Sequence, residues 1–211
     1  MLNKFTYDNV VKGLITISLL FMAFGTKAAD FSGQVGIASD NYFRGINMSD
    51  GFGYSASGKL DLGNGIWAGA SAMSLEESSD FMTKLGVGYG FDAGFAKIGV
   101  AYIDYGFQGL DVDGWEEVGV KADFDLFAVS YFNGLDDAGD YFSISTGALK
   151  VVDLAYGDHD NSGSFVEVSK SFDLAGGVVK VGFVDHEDNN EDFADKVTEV
   201  DNFYVGYSYK F

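Results

Sequence analysis

Arg44 is the only arginine in the sequence, and it stands between two carboxylates, Asp40 and Asp50, in a segment that breaks the apolar alternation on either side. A guanidinium presents a planar fork of donors that matches a carboxylate at two points. Pairing of Arg44 with Asp40 or Asp50 would fold this segment back on itself, either as a constriction or as a structural clamp. The two histidines, in Asp158-His159-Asp160 and Asp185-His186-Glu187, are the other candidates for proton chemistry. Both fall on strand-like segments, where adjacent side chains point to opposite faces, so neither Asp-His neighbour pair forms a hydrogen-bonded couple. No enzyme activity and no cofactor are expected. Asp136, Asp137 and Asp140, and Glu187, Asp188, Glu191 and Asp192, cluster without the spacing of a calcium loop. They read as solvated faces, with no metal site. Gly86-Val87-Gly88-Tyr89-Gly90 has the look of a nucleotide fingerprint but lacks the helix that must follow, so it reads as a strand with small residues on one face.

The elements that position these residues are strands. In residues 202–211, Phe203, Val205, Tyr207, Tyr209 and Phe211 alternate with Tyr204, Gly206, Ser208 and Lys210, which gives one apolar face and one small or polar face. Eleven further segments fit the same period: 31–38, 52–62, 66–75, 81–91, 95–105, 115–124, 127–133, 141–148, 150–157, 164–172 and 178–186. Twelve strands are expected, and ten or fourteen lie within the boundary error. In 66–75 the facing is ambiguous, because Trp67 and Met73 oppose Ile66 and three alanines. Gly63-Asn64-Gly65 is a hairpin turn by composition. The absence of proline and the presence of 29 glycines favour ladders and tight turns over helices. Connections alternate between long acidic segments (39–51, 76–80, 106–114, 134–140, 158–163 and 187–201) and short turns.

Residues 1–28 read as a cleaved signal peptide, with Lys4 and Lys12 before an apolar run and Thr26-Lys27-Ala28 before the cut. The run is short for a membrane-spanning helix. The rest, residues 29–211, is expected to be one transmembrane antiparallel up-and-down β-barrel, all-β, in the bacterial outer membrane. Alternation alone does not choose between a lipid-facing and a soluble barrel; charge placement does. Lys59, Asp61, Lys84, Lys97, Glu117, Lys121, Asp123, Asp153, Glu167, Lys180 and Lys210 take the parity opposite the apolar set and are expected inside, with all but Asp153 and Lys210 read as a pore lining. Aromatics gather at the segment ends: Phe91, Phe95, Phe124, Phe127, Phe172 and Phe211 at the short turns, and Phe52, Tyr54, Phe81, Tyr102, Trp115, Phe142 and Phe203 towards the loops, as two bilayer girdles would require. A net charge of −19 makes nucleic acid an improbable partner.

At Gly36-Ile37-Ala38-Ser39-Asp40-Asn41-Tyr42-Phe43-Arg44-Gly45-Ile46 the sequence resembles the TorF-type porin family of proteobacteria, through a G-x-x-S-D-Y-x-x-R-G-type opening. Trp115-Glu116-Glu117-Val118 and the closing Phe211 extend the resemblance, while Asn41 stands where that pattern has an aromatic residue. The resemblance implies an outer-membrane channel. The expected function is passive diffusion of ions or small hydrophilic solutes, with acidic loops favouring cations. The alternative is a non-transporting structural or adhesive barrel. Expected partners are outer-membrane lipid and lipopolysaccharide, the barrel-assembly machinery that reads the terminal strand (Phe203, Val205, Tyr207, Tyr209, Phe211), and the permeating solutes or cations.

Overall fold

The computed structural model describes residues 29–49, 51–75, 80–109, 113–135, 138–146, 151–187 and 203–211. The signal-peptide segment 1–28, Asp50, Asp136, Asp137, Asp188, Glu191 and Asp192 lie outside the described residues. Among the described residues there are fourteen strands: β1 Asp30–Ala38, β2 Tyr42–Phe43, β3 Ile46–Asn47, β4 Gly53–Gly63, β5 Ile66–Ser74, β6 Phe81–Asp92, β7 Lys97–Gln108, β8 Trp115–Asp123, β9 Ala128–Gly134, β10 Tyr141–Ser145, β11 Asp153–His159, β12 Gly163–Leu174, β13 Gly177–Glu187 and β14 Phe203–Lys210. All except β2 and β3 form one closed barrel of twelve strands, each antiparallel to the next in sequence. Strand β1 closes it against β14, from Gln34 opposite Lys210 to Ala38 opposite Gly206. This is an up-and-down outer-membrane barrel, as the twelve alternating segments require.

The outer wall carries the apolar parity. Val35, Ile37, Leu85, Val87, Val100, Val118, Val120, Ile144, Val166 and Val205 are exposed on it. Phe91, Phe95, Phe127, Phe172 and Phe211 are exposed at the turn end, and Phe52, Phe142 and Phe203 at the loop end, whereas Tyr102 lies at mid-wall opposite Val87 instead of in the loop-end girdle. A soluble protein does not leave so continuous an apolar surface in water, whereas a bilayer covers it. The outer membrane is therefore where this wall belongs. Trp115 departs from the expected girdle, because it shares a face with Tyr105 and stacks on that ring inside the barrel at 5.1 Å.

Register resolves the ambiguous segment. Trp67 pairs with Asp61 and Gly88, and Met73 with Ser55 and Met82, so both point inward and the alanines of β5 face outward. Two connections differ from the expected pattern. The segment read as a long loop at 158–163 is a turn at residues 160–162, while residues 146–152 separate β10 from β11. Asp158 opposes Ser164 and His159 opposes Gly163, so the ladder extends into the first of these segments and leaves Asp160 in the turn.

The glycines have a further use. The register sets Trp67 opposite Gly88, Phe132 opposite Gly119, Phe165 opposite Gly157 and Tyr204 opposite Gly182, all facing inward. At each glycine an added Cβ would fall between 2.1 and 2.5 Å from the facing aromatic ring. The ring lies flat on the neighbouring backbone, and only glycine leaves that space. Inward glycine therefore seats aromatic side chains here instead of simply widening the bore.

Candidate functional site

The described residues of the first connection, 39–49 and 51–52, do not stand out from the barrel. They fold into the loop end of the lumen as a small hairpin. Strands β2 and β3 pair Tyr42 with Asn47 and Phe43 with Ile46, leaving Arg44 and Gly45 as a two-residue turn with φ of 53° and 82°. Positive φ at both central positions is what a type I′ hairpin turn demands. Glycine adopts it freely, whereas arginine is uncommon there. Gly45 is further fixed by space, since a Cβ would lie 2.3 Å from Cβ of Phe165 on the wall.

Polar contacts anchor the base of the hairpin. Asn41 donates from Nδ2 to the carbonyl of Ser74 at 3.0 Å and to its Oγ at 3.1 Å. The Asn41 backbone N–H donates to Ser49 Oγ at 2.8 Å, and the Met48 N–H donates to the Asn41 carbonyl at 2.8 Å. Asn41, the residue that departs from the porin-like opening pattern, is thus the bridge between the hairpin and the end of β5. No aromatic side chain could make that pair of donations.

The tip is held by charge and by aromatic rings. Arg44 donates from Nη1 to Glu117 Oε1 at 2.7 Å and from Nη2 to Oε2 at 2.5 Å, a two-point pair whose side chains are 7% and 0% exposed. The carboxylate that Arg44 engages is therefore Glu117 of β8. The expected pairing with Asp40 or Asp50 is corrected: Asp40 accepts from Asn47 Nδ2 at 3.1 Å, and Asp50 is outside the described residues. An inward carboxylate on the wall presents both oxygens to a fork descending into the lumen, whereas Asp40 sits at the hairpin base. Tyr105 of β7 donates its hydroxyl to Glu117 Oε2 at 3.2 Å. The guanidinium carbon lies 4.0 Å from the Tyr141 ring centroid and 5.0 Å from that of Phe43, so the cation is covered by π faces. Lys84 of β6 points into the same cluster, its Nζ 4.1 Å from the Phe43 centroid. On the opposite wall, Tyr42 packs against Tyr204 at 5.3 Å.

The expected pore-lining set divides into three groups. Glu117 and Lys84 are enclosed under the hairpin. Glu167 and Lys180 form an ion pair at 2.5 Å, with Tyr204 donating to the same Glu167 oxygen at 2.6 Å. Lys59, Asp61, Lys97, Lys121 and Asp123 are exposed on the inner face towards the turn end, among Ser57, Gly69, Ser71, Ser130 and Ser143. The hairpin and the inward aromatic residues that receive it crowd the loop end of the lumen, and small polar and charged groups line the turn end beside the Trp67 ring.

His159 and Asp158 point to opposite faces, as their adjacency on a strand requires: His159 faces inward across from Tyr141, and Asp158 faces outward across from Phe142. Tyr42, Phe43, Tyr105, Tyr141 and Tyr204 belong to the site but not to the residues expected from the sequence. For Tyr105, Tyr141 and Tyr204 the signal was inward parity in an aromatic residue, which becomes meaningful only once the register is known; Tyr42 and Phe43 lie on the hairpin, where wall parity does not apply.

No model of a known protein family matches the chain, and no curated protein sequence is similar to it. Solved structures do share its fold. The KdgM porin, 14% identical, aligns over 85% of this chain and 99% of its own with a TM-score of 0.56. A chain from work on the mechanism of in-meso crystallization of membrane proteins, 12% identical, aligns over 86% of this chain and 83% of its own with a TM-score of 0.57. At such identities the likeness is one of fold: this chain has the architecture of an outer-membrane β-barrel.

Proposed function

We propose that this protein is a porin-like channel for passive diffusion of ions or small hydrophilic solutes, narrowed at its loop end by the seated hairpin. The observation that carries this reading is the division of the lumen. Its turn half carries small polar residues and lumen-exposed Lys59, Asp61, Lys121 and Asp123 beside the Trp67 ring, while in its loop half a connection is seated against inward residues of the wall. Twelve-stranded barrels fall between eight-stranded barrels packed solid with side chains and the wide sixteen-stranded porins. A constriction built from a loop is a means of setting the bore without changing the strand number.

A cation preference belongs to the same proposal. Asp40, Asp80, Asp113, Asp140, Asp158, Asp160, Asp185 and Glu187 all lie at the loop end of the barrel, where a negative rim concentrates cations and repels anions. Lipid and lipopolysaccharide would surround the apolar wall, and the terminal strand would engage the assembly machinery. Similarity to TorF-type porins in particular rests on the Gly36–Ile46 motif and is part of this proposal.

Planar-bilayer recording of the refolded barrel, wild type against Arg44→Ala at equal folded fraction, tests the reading. Discrete cation-preferring conductance in the wild type, rising in Arg44→Ala, is expected. Unchanged conductance and selectivity in Arg44→Ala would refute the constriction, and silence of both folded proteins would favour the non-transporting barrel, for which the buried hairpin contacts would serve only as a plug.

A further inference from the structure

Resting on the channel reading, we propose that the hairpin is a gate that opens by exchanging the partner of Glu117, from Arg44 on the hairpin to Lys84 on the wall. Glu117 lies fully buried and paired in both oxygens with Arg44. A carboxylate left in such a place without a counter-charge is strongly disfavoured, so withdrawal of Arg44 alone would be resisted by the wall it leaves behind. Lys84 has the complementary problem. Among the described residues no carboxylate lies at ion-pair distance from it; its Nζ sits on the ring of Phe43 at 4.1 Å and lies 5.5 Å from that of Tyr105. Phe43 belongs to the hairpin. The movement that strips Glu117 of its cation therefore also strips Lys84 of its nearest π face.

The two stranded groups are close enough to find each other. Lys84 on β6 pairs with Tyr105 on β7, and the Tyr105 hydroxyl already reaches Glu117 on β8. All three face inward on three consecutive strands. A lysine stem is long, flexible and free to rotate into the space that the guanidinium vacates. Glu117 thus keeps a counter-charge in both positions of the hairpin, and the barrier to opening is the exchange itself. The geometry makes Lys84 the gate-determining residue, although it contacts neither end of the loop.

The test uses the absence of native cysteine. Ile46, on strand β3 of the hairpin itself, is 6% exposed, so in an Ile46→Cys background a maleimide added to the folded barrel in lipid vesicles labels only the withdrawn state. Lys84→Met is expected to slow labelling, and to lower the open probability in bilayers, by at least ~10-fold, because opening then exposes an unpaired buried carboxylate. In Glu117→Gln the same Lys84→Met substitution is expected to change neither rate by more than ~2-fold, since no charge remains to be compensated. Labelling in Lys84→Met equal to or faster than in the parent would overturn the exchange, as would an equal slowing in the Glu117→Gln background. Labelling that follows expectation in a barrel that never conducts would overturn the channel reading and leave the exchange standing, so the two failures are distinct.

Discussion

Arg44 unites three unusual choices at one residue: a positive φ of 53°, a buried guanidinium, and a carboxylate partner 73 positions away. Each disfavours the position alone, and the pair with Glu117 compensates for them together, since a fully bonded buried pair is tolerated where a half pair is not. A second carboxylate works by a different arrangement at the rim. Asp140, between β9 and β10, accepts hydrogen bonds from the Tyr131 hydroxyl, from Asn133 Nδ2 at 2.7 Å and from the Gly134 N–H at 3.3 Å. The Tyr131 hydroxyl above all, then the Asn133 amide, hold its carboxyl below the usual range. Because the folded form favours the anion, the order this carboxylate imposes on the loop is present above the ordinary aspartate pKa of ~4 and is lost as pH falls through the depressed value. Hydrogen exchange at the Gly134 amide should therefore stay protected from neutral pH down to about pH 4 and rise below it. Asp140→Asn should flatten that profile, and a profile identical in both would refute the assignment.

Within the strands, the recurring unit is glycine opposite an aromatic ring. Inside the lumen it seats Trp67, Phe132, Phe165 and Tyr204; at the seam it seats the last residue of the chain. Gly33 and Phe211 exchange both backbone hydrogen bonds, at 2.8 and 3.0 Å, and the Phe211 ring lies where a Gly33 side chain would be, 2.6 Å from its ideal Cβ. Phe31 flanks that ring at 6.2 Å. Closure of β1 on β14 is thus completed on the outer wall by a ring lying in a notch. Gly33→Val should displace the ring and lower seam stability by ~1–3 kcal/mol, the usual cost of overpacking, and deletion of Phe211 should impair assembly more than it alters any pore property. Folded yield and urea midpoint in lipid measure the first, and conductance of the folded remainder measures the second. A Gly33→Val barrel as stable as the parent would show that the notch is incidental.

For the whole molecule, charge is segregated along the barrel axis: carboxylates crowd the loop rim, and mixed charges line the turn half. If the rim sets ion preference, the cation-to-anion permeability ratio should be largest near 0.01 M salt, where the screening length is ~30 Å, and approach unity near 1 M, where it is ~3 Å. A ratio independent of salt would place selectivity in the lumen instead. Much of this architecture is legible in the sequence because a strand turns its side chains over every second residue, so the parities of 202–211 and its eleven counterparts reveal strands, a lipid face and an inward charged face without any knowledge of pairing. Arg44 could likewise be singled out by its type alone. Its partner could not: Glu117 shares its parity with ten other charged residues, and only the register and closure of the barrel bring β8 beneath the hairpin. For the same reason Trp67 had no face, and the glycines read only as small residues on one face, until cross-strand pairing set an aromatic ring on each of four of them. Alternation is a local property that the chain fixes by covalent geometry, whereas what meets across the lumen depends on strand order and stagger, and those exist only once the barrel is closed.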